Sequence, residues 1–136
     1  MPTLARTTLA IDSKLLKDFD EWMARRGYSN RSEAVRDLIR EALTQEEWAD
    51  PKAEAVAVLS IIYDHDSRAL SKELTAVQHE EFHSIICSQH VHLDHHRCLE
   101  VILMRGTAQR LRNVANAIIT MRGVHAAQLT PLSKKL

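Results

Sequence analysis

The sequence predicts an α+β protein built from two units, and three patterns support that prediction. Residues 4–11 alternate between two faces like a strand, and two amphipathic helical patterns follow them. Residues 53–130 then give the order strand–helix–strand–strand–helix–strand, which is that of a ferredoxin-like βαββαβ domain. A charged stretch that contains Pro51 interrupts the helical pattern at residues 44–52. We therefore predict a first domain at residues 1–47, a linker at 48–52 and a second domain at 53–131.

The first unit is predicted as a strand followed by two helices, βαα. Ser13 is a suitable N-cap for the first helix, and Gly27 is suited to the left-handed turn that ends it. The second helix opens at Asn30, where Glu33 three residues later makes a loose capping box.

The strand at residues 4–11 needs a partner that the first unit does not contain. A unit of fewer than about 50 residues rarely folds alone, and a single strand is all edge. Pairing with the same strand of a second copy gives a two-stranded antiparallel ribbon over four helices. Its outer face carries Arg6, Thr8 and Ala10 twice, and such a ribbon fits the major groove of DNA. The alternative is a dimerisation strand with a polar outer face and no ligand.

The second unit is predicted to have six helices and strands, three on each side of a histidine-rich turn. The predicted elements, in chain order, are a strand at 53–64, a helix at 67–81, strands at 83–93 and 98–104, a helix at 107–123 and a strand at 124–130.

The composition sets limits on where the chain works and on what it binds. It has 18 Lys and Arg against 18 Asp and Glu, so DNA binding must rely on locally placed arginines. No apolar run is long enough to span a membrane, and the first residues lack a signal-peptide pattern. The two cysteines make no disulfide framework. We expect a cytoplasmic protein that does not associate with membranes.

Residues 88–98, SQHVHLDHHRC, carry a spacing that suits a metal ion. His90 and His92 lie two apart on a strand and therefore point to one face. Cys98 lies opposite His92 if the loop has three residues, 94–96, or five, 93–97. A two-residue loop would place it opposite Leu93, on the wrong face. Two imidazoles and a thiolate with one more ligand suit Zn, Cu or Ni.

Two ordinary interpretations remain beside the metal site. A histidine on a strand is more often a solvated or hydrogen-bonded side chain than a ligand. Cys87 has the parity of Val91, on the other face, and is predicted to be a small buried apolar residue.

The strand, the two helices and the stretch GYSNRSEAVRDLI resemble a ribbon–helix–helix repressor domain. Over roughly residues 4–130 the chain resembles the nickel-responsive repressor family of the NikR type, and the histidine segment is the most specific part. The resemblance implies an intertwined βαα dimer followed by a ferredoxin-like domain of the ACT type. It also implies a homotetramer, organised as a dimer of dimers.

In that family Ni(II) is held in a square plane by three histidine nitrogens and one cysteine sulfur. The matching residues are His90, His92 and Cys98 of one subunit and His79 of the facing subunit. Tyr63 and Glu100 match the position of residues that orient the ligands. The remaining histidines of the segment are expected to be surface side chains, namely His65, His83, His95 and His96. A further ion site, between the two domains, is implied at Glu33 and Asp37.

The resemblance implies a nickel-dependent repressor that binds double-stranded operator DNA, with a nickel-uptake promoter as the target. Base contacts would come from Arg6, Thr8 and Ala10, and phosphate contacts from Asn30 and Arg31. The family often has Thr where this chain has Ala10, and alanine can contact a thymine methyl group but cannot donate a hydrogen bond.

The three rival functions are a regulator of another metal, an antitoxin, and a metal store or enzyme built on the Cys–His pair. A ribbon–helix–helix regulator could respond to Co, Cu or Zn instead of nickel. An antitoxin of the same type would end in a disordered tail, whereas residues 53–130 are patterned for a folded core. An enzyme would need an oriented nucleophile and an oxyanion site, for which the sequence offers no candidate. We expect neither catalysis nor a small-molecule substrate.

Overall fold

The computed structural model describes residues 3–135 and divides the chain into two compact units, with the boundary between residues 41 and 42. The predicted α+β class is confirmed. The helices are α1 (Ser13–Arg26), α2 (Arg31–Ala49), α3 (Arg68–Glu80) and α4 (Ala108–Ile119), and the strands are β1 (Glu54–Asp64), β2 (Ile85–His92), β3 (Arg97–Thr107) and β4 (Val124–Leu132). No helix within residues 3–135 is both long and apolar enough to cross a membrane.

The strand predicted at residues 4–11 is not formed in the single chain. Residues 3–12 make no β-ladder, because the first unit provides no second strand to complete one. Leu4, Leu9 and Ile11 are 80%, 58% and 39% exposed. Among residues 3–41 only Met23 and Ala34 are buried. One copy of this unit therefore has almost no core, as the sequence argument for a second copy requires.

Helix α1 begins one residue earlier than the sequence indicated. Asp12, and not Ser13, is the N-cap, and its Oδ1 accepts from the N–H groups of Lys14 and Leu15 at 2.8 and 2.9 Å. A carboxylate also interacts favourably with the positive end of the helix dipole, which a serine hydroxyl does not match. The predicted end is confirmed, since Gly27 has a left-handed φ of 79°.

Helix α2 starts as predicted and ends later. Asn30 Oδ1 accepts from the N–H of Glu33 at 2.9 Å, so the predicted cap is present. The helix continues through residues 44–49 and so includes the first two residues of the predicted linker, 48–52. Trp48 is 3% exposed and packs in the core of the second unit, and its Nε1 donates to the carbonyl of Leu132 at 3.1 Å. Burial of the indole outweighs the polar character of the stretch.

The second unit has the ferredoxin-like topology that the sequence predicts. Its antiparallel sheet has the order β2-β3-β1-β4. Along β1 every second residue is buried, which gives the sheet one core face. That face packs against α3 and α4 through aliphatic side chains, including Leu59, Ile61, Leu70, Ile102, Leu111 and Ile118.

The β2–β3 hairpin confirms the predicted opposition of His92 and Cys98. The N–H of Leu93 donates to the carbonyl of Arg97 at 2.9 Å, so the loop is the three-residue one, 94–96. Asp94 closes it by accepting from the N–H groups of His96 and Arg97, both at 2.8 Å. These bonds lower the pKa of the Asp94 carboxyl to about 2.

Cys87 departs from the prediction, because it is exposed in the single chain. A β-bulge between Ile85 and Cys87 shifts the register at the start of β2. Every described residue of β2 after Ile85 is exposed, so this edge strand has no covered face for Cys87 to enter.

Candidate metal centre

Three neighbouring strands bring the candidate ligands to one end of the sheet. Cys98, near the start of β3, is paired with His92 on β2 and with Tyr63 at the end of β1. His90 lies two residues before His92 and so projects to the same face. Cys98 has no exposed surface, whereas the two histidines reach solvent.

Four side chains of one chain converge there, namely His65, His90, His92 and Cys98. One ligand atom from each can be chosen so that all four lie within 4.8 Å of one another. Cys98 Sγ is 3.4 Å from His92 Nδ1 and 3.4 Å from His65 Nδ1. Such a group of imidazole nitrogens with one sulfur fits a borderline-soft divalent ion of the first transition row, such as Ni, Cu or Zn.

His65 is exposed, as predicted for a surface histidine, and the structure also brings it into this group of four side chains. It follows β1, two residues after Tyr63, and its backbone N–H donates to the carbonyl of His96 at 2.7 Å. This bond holds the backbone of His65 against the hairpin loop, and the His65 ring reaches Cys98. Its parity with Tyr63 was the available signal, since residues two apart on extended backbone share a face.

The Cys98 thiol holds its proton in the metal-free chain. Burial raises its pKa, and the negative charges of Glu100, Asp94 and Asp66 raise it further. Thiolate is the form that binds metals. A cation at this position would offset the same charges, so binding and loss of the thiol proton go together.

Polar side chains behind the site can orient His90. Its Nδ1 lies 3.4 Å from the hydroxyl of Tyr63, which leaves Nε2 free for a metal. Glu100 is 6% exposed and accepts from Gln78 Nε2 at 2.9 Å. Burial, and then the charge of Glu100, raises the pKa of Tyr63, so its hydroxyl stays protonated. With a metal on Nε2, Nδ1 would carry the proton and would donate it in a hydrogen bond to the Tyr63 hydroxyl.

Comparison with known proteins assigns both parts of the chain. Residues 56–132 match the family described as NikR C terminal nickel binding domain, and residues 5–46 match the ribbon-helix-helix protein family of the copG type. A protein of Solibacter usitatus, provisionally named a nickel-responsive regulator, is 46% identical over 96% of this chain and 94% of its own length. One of Desulfovibrio desulfuricans with the same provisional name is 43% identical over 96% of this chain and 94% of its own.

The chain belongs to the nickel-responsive regulator family, NikR. It carries that family's nickel-binding domain and a ribbon–helix–helix domain, and its relatives are named as regulators and not as enzymes. A solved structure of an uncharacterised protein from Thermotoga maritima matches with a TM-score of 0.53 and 11% identity, over 59% of this chain and 99% of that one. At that identity the match concerns the fold alone.

One predicted NikR ligand lies apart from the group in the single chain. His79 is exposed in the last turn of α3 and is not among the four converging residues. The other predicted surface histidines also lie outside the group. His96 Nδ1 is 2.8 Å from Asp66, which raises the pKa of the imidazole, and His83 packs on Phe82. His95 lines the entrance to the site.

The residues that the NikR resemblance assigns to DNA lie in the first unit. Arg6, Thr8 and Ala10 are all exposed on residues 3–12. Asn30 caps α2 with its side chain. Arg31 is held by Asp20 through two bonds of 2.7 and 2.8 Å, so its guanidinium already has an anionic partner in the free chain.

Glu33 and Asp37, assigned by the resemblance to a further ion site, line the same cavity of about 390 Å³. Asp37 accepts from the Tyr28 hydroxyl at 2.8 Å and from Arg40 at 3.0 Å. The first unit therefore places the two carboxylates together, with one of them already hydrogen-bonded.

Proposed function

We propose that this chain is a nickel-dependent transcriptional repressor of the cytoplasm, in which nickel bound by residues 53–131 controls operator binding by residues 1–47. The observation that carries the proposal is the group of imidazoles and one buried thiol at the end of the sheet, in a chain that also has a ribbon–helix–helix domain. A nickel-uptake promoter is the expected target. No small-molecule substrate is required.

Nickel is bound by His90, His92 and Cys98 of one chain and by His79 of a second copy. The hairpin register supports the first three, since it places His92 directly opposite Cys98. His79 suits a contact between chains, because it is exposed at the end of α3 and does not reach the ligands of its own chain. Tyr63 positions the His90 ring through its hydroxyl, and Glu100 acts on the ring through Tyr63. Ligands from two chains tie nickel binding to the assembly of a homotetramer.

DNA is bound by a ribbon made from residues 4–11 of two chains. In the first unit, apolar side chains of residues 4–39 border an open cavity of about 790 Å³. A second copy covers this apolar surface and supplies the missing strand. Arg6, Thr8 and Ala10 then face the major groove.

Phosphate contacts come from the start of α2, where backbone N–H groups at Asn30 and Arg31 favour an anion. The Arg31 guanidinium must share or release Asp20 to take part. Glu33 and Asp37 form the further cation site, which acts when the two domains are on DNA.

The experiment is fluorescence anisotropy of a labelled promoter fragment at controlled free nickel. The wild-type chain is expected to bind the fragment only when nickel is present. His92→Ala is expected to abolish this dependence, and His83→Ala, which changes a histidine outside the group, is the matched control. Binding that is equally tight without metal contradicts the proposal, and a response to zinc or cobalt but not nickel assigns the regulator to another metal.

A further inference from the structure

His65 gives one chain a complete set of four donors without help from a second copy. Its Nδ1 lies 3.4 Å from Cys98 Sγ, the same distance that separates Cys98 from His92 Nδ1. The His65 ring is 4.6 Å from that of His92 and 6.5 Å from that of His90, centroid to centroid. It therefore stands on the same side of the thiol as the two strand histidines.

These spacings match those around a single bound ion. Bonds of about 2.0–2.1 Å to nitrogen and 2.3 Å to sulfur place adjacent nitrogen and sulfur ligands about 3.1–3.6 Å apart in square-planar or tetrahedral geometry. Ligands on opposite sides of a square plane are about 4.3 Å apart by the same arithmetic. The four donors all lie within 4.8 Å, about 0.5 Å more than that largest separation in a square plane.

An open cavity of about 520 Å³ lies beside the donors and is lined by His65, His92, Leu93, Asp94 and His95. Asp94 and Asp66 put negative charge near the thiol, which draws a cation toward the mouth of the site. The backbone bond from His65 to His96 keeps the residue in place before any ion arrives.

We propose that His65, His90, His92 and Cys98 form an intrachain capture site for a divalent first-row metal ion, in which His65 occupies the position later taken by His79 of the second copy. The replacement of His65 by His79 of the second copy rests on the proposed function. A four-coordinate ion cannot keep all five donors, so His65 and His79 are alternatives. Exchange of one for the other links metal loading to contact between chains.

The test uses the full chain, nickel alone as the ligand, and two readouts, equilibrium dialysis for stoichiometry and the sulfur-to-nickel absorption band for geometry. His79→Ala is expected to bind one nickel per chain, more weakly than wild type and with a shifted band. The double variant His79→Ala, His65→Ala is expected to bind nickel more than about 100-fold more weakly than His79→Ala alone. Loss of a residue that only orients a ligand lowers metal affinity by at most about 100-fold. Adding His83→Ala instead is the matched control and is expected to change nothing.

His65→Ala alone is expected to keep wild-type stoichiometry and the wild-type band, because His79 completes the equilibrium site. His65→Gln replaces the alanine variant if circular dichroism shows that the alanine variant is unfolded. The inference is overturned if the His79→Ala chain binds no nickel, or if it binds equally with and without His65. A His79→Ala chain that keeps the wild-type band and nickel-dependent DNA binding contradicts the interchain set of the proposed function and leaves the capture site standing.

Discussion

Replacing Tyr63 with phenylalanine removes the hydroxyl that contacts His90 and leaves the aromatic ring that packs in the core. Loss of a side chain that orients a metal-binding histidine typically lowers metal affinity 10- to 100-fold. The contact from Tyr63 to His90 Nδ1 is 3.4 Å, at the long end for a hydrogen bond. We therefore expect the lower end of that range for Tyr63→Phe, about tenfold or 1.4 kcal/mol.

The assay is competition for nickel against a chelator of known affinity, followed by absorption. Tyr28→Phe is the matched control, because it also removes a hydrogen-bonded tyrosine hydroxyl. The Tyr28 hydroxyl donates to the carboxylate of Asp37 and lies in the first unit. The control is expected to bind nickel like wild type. Unchanged affinity in Tyr63→Phe, or an equal loss in both variants, would refute the claim that Tyr63 positions His90.

Three further predictions concern the DNA surface, the core and the thiol. Arg6→Ala is expected to lose about 1–3 kcal/mol of discrimination between operator and random DNA; equal losses on both DNAs in anisotropy would make Arg6 a phosphate contact. Trp48→Ala is expected to destabilise the chain by about 3–5 kcal/mol in urea unfolding followed by circular dichroism, whereas Trp22→Ala, at a half-buried position, is expected to cost less. Burial raises the pKa of the Cys98 thiol, so the thiol is protonated at pH 7 before nickel binds. Nickel binding at pH 7 is therefore expected to release at least one proton per site from the thiol. Below the thiol pKa, the affinity for nickel is expected to rise about tenfold per pH unit. Calorimetry in two buffers of different ionisation enthalpy measures that release, and a value of zero contradicts the role of Cys98.

The pairing of His92 with Cys98 was predictable because strand geometry depends on local alternation. Side chains repeat every two residues, so His90 and His92 had to share a face, and a loop of residues 94–96 or 93–97 places Cys98 opposite His92. The topology was predictable for the same reason, since the βαββαβ order leaves few ways to pair the strands. The sequence allowed a loop of three or five residues, and the bond from Leu93 to Arg97 shows that it has three.

What the sequence missed depends on contacts that no local pattern contains. His65 lies in the group of four side chains, and its backbone bonds to His96, 31 residues away. Helix α2 continues to Ala49 because Trp48 is buried and donates a hydrogen bond to the carbonyl of Leu132. The strand at residues 4–11 was predicted from alternation alone, but its hydrogen bonds belong to a second chain, so a single copy leaves these residues exposed.

X-ray absorption at the nickel edge of the loaded protein tests the central claim most directly, since it counts the atoms bound to the ion. A site made of His90, His92, Cys98 and a further histidine is expected to show one sulfur among nitrogen neighbours. Cys98→Ser is expected to remove the sulfur signal, while Cys87→Ser, at the exposed cysteine, is expected to keep it. A nickel shell of nitrogen and oxygen alone in the wild-type chain would contradict the account.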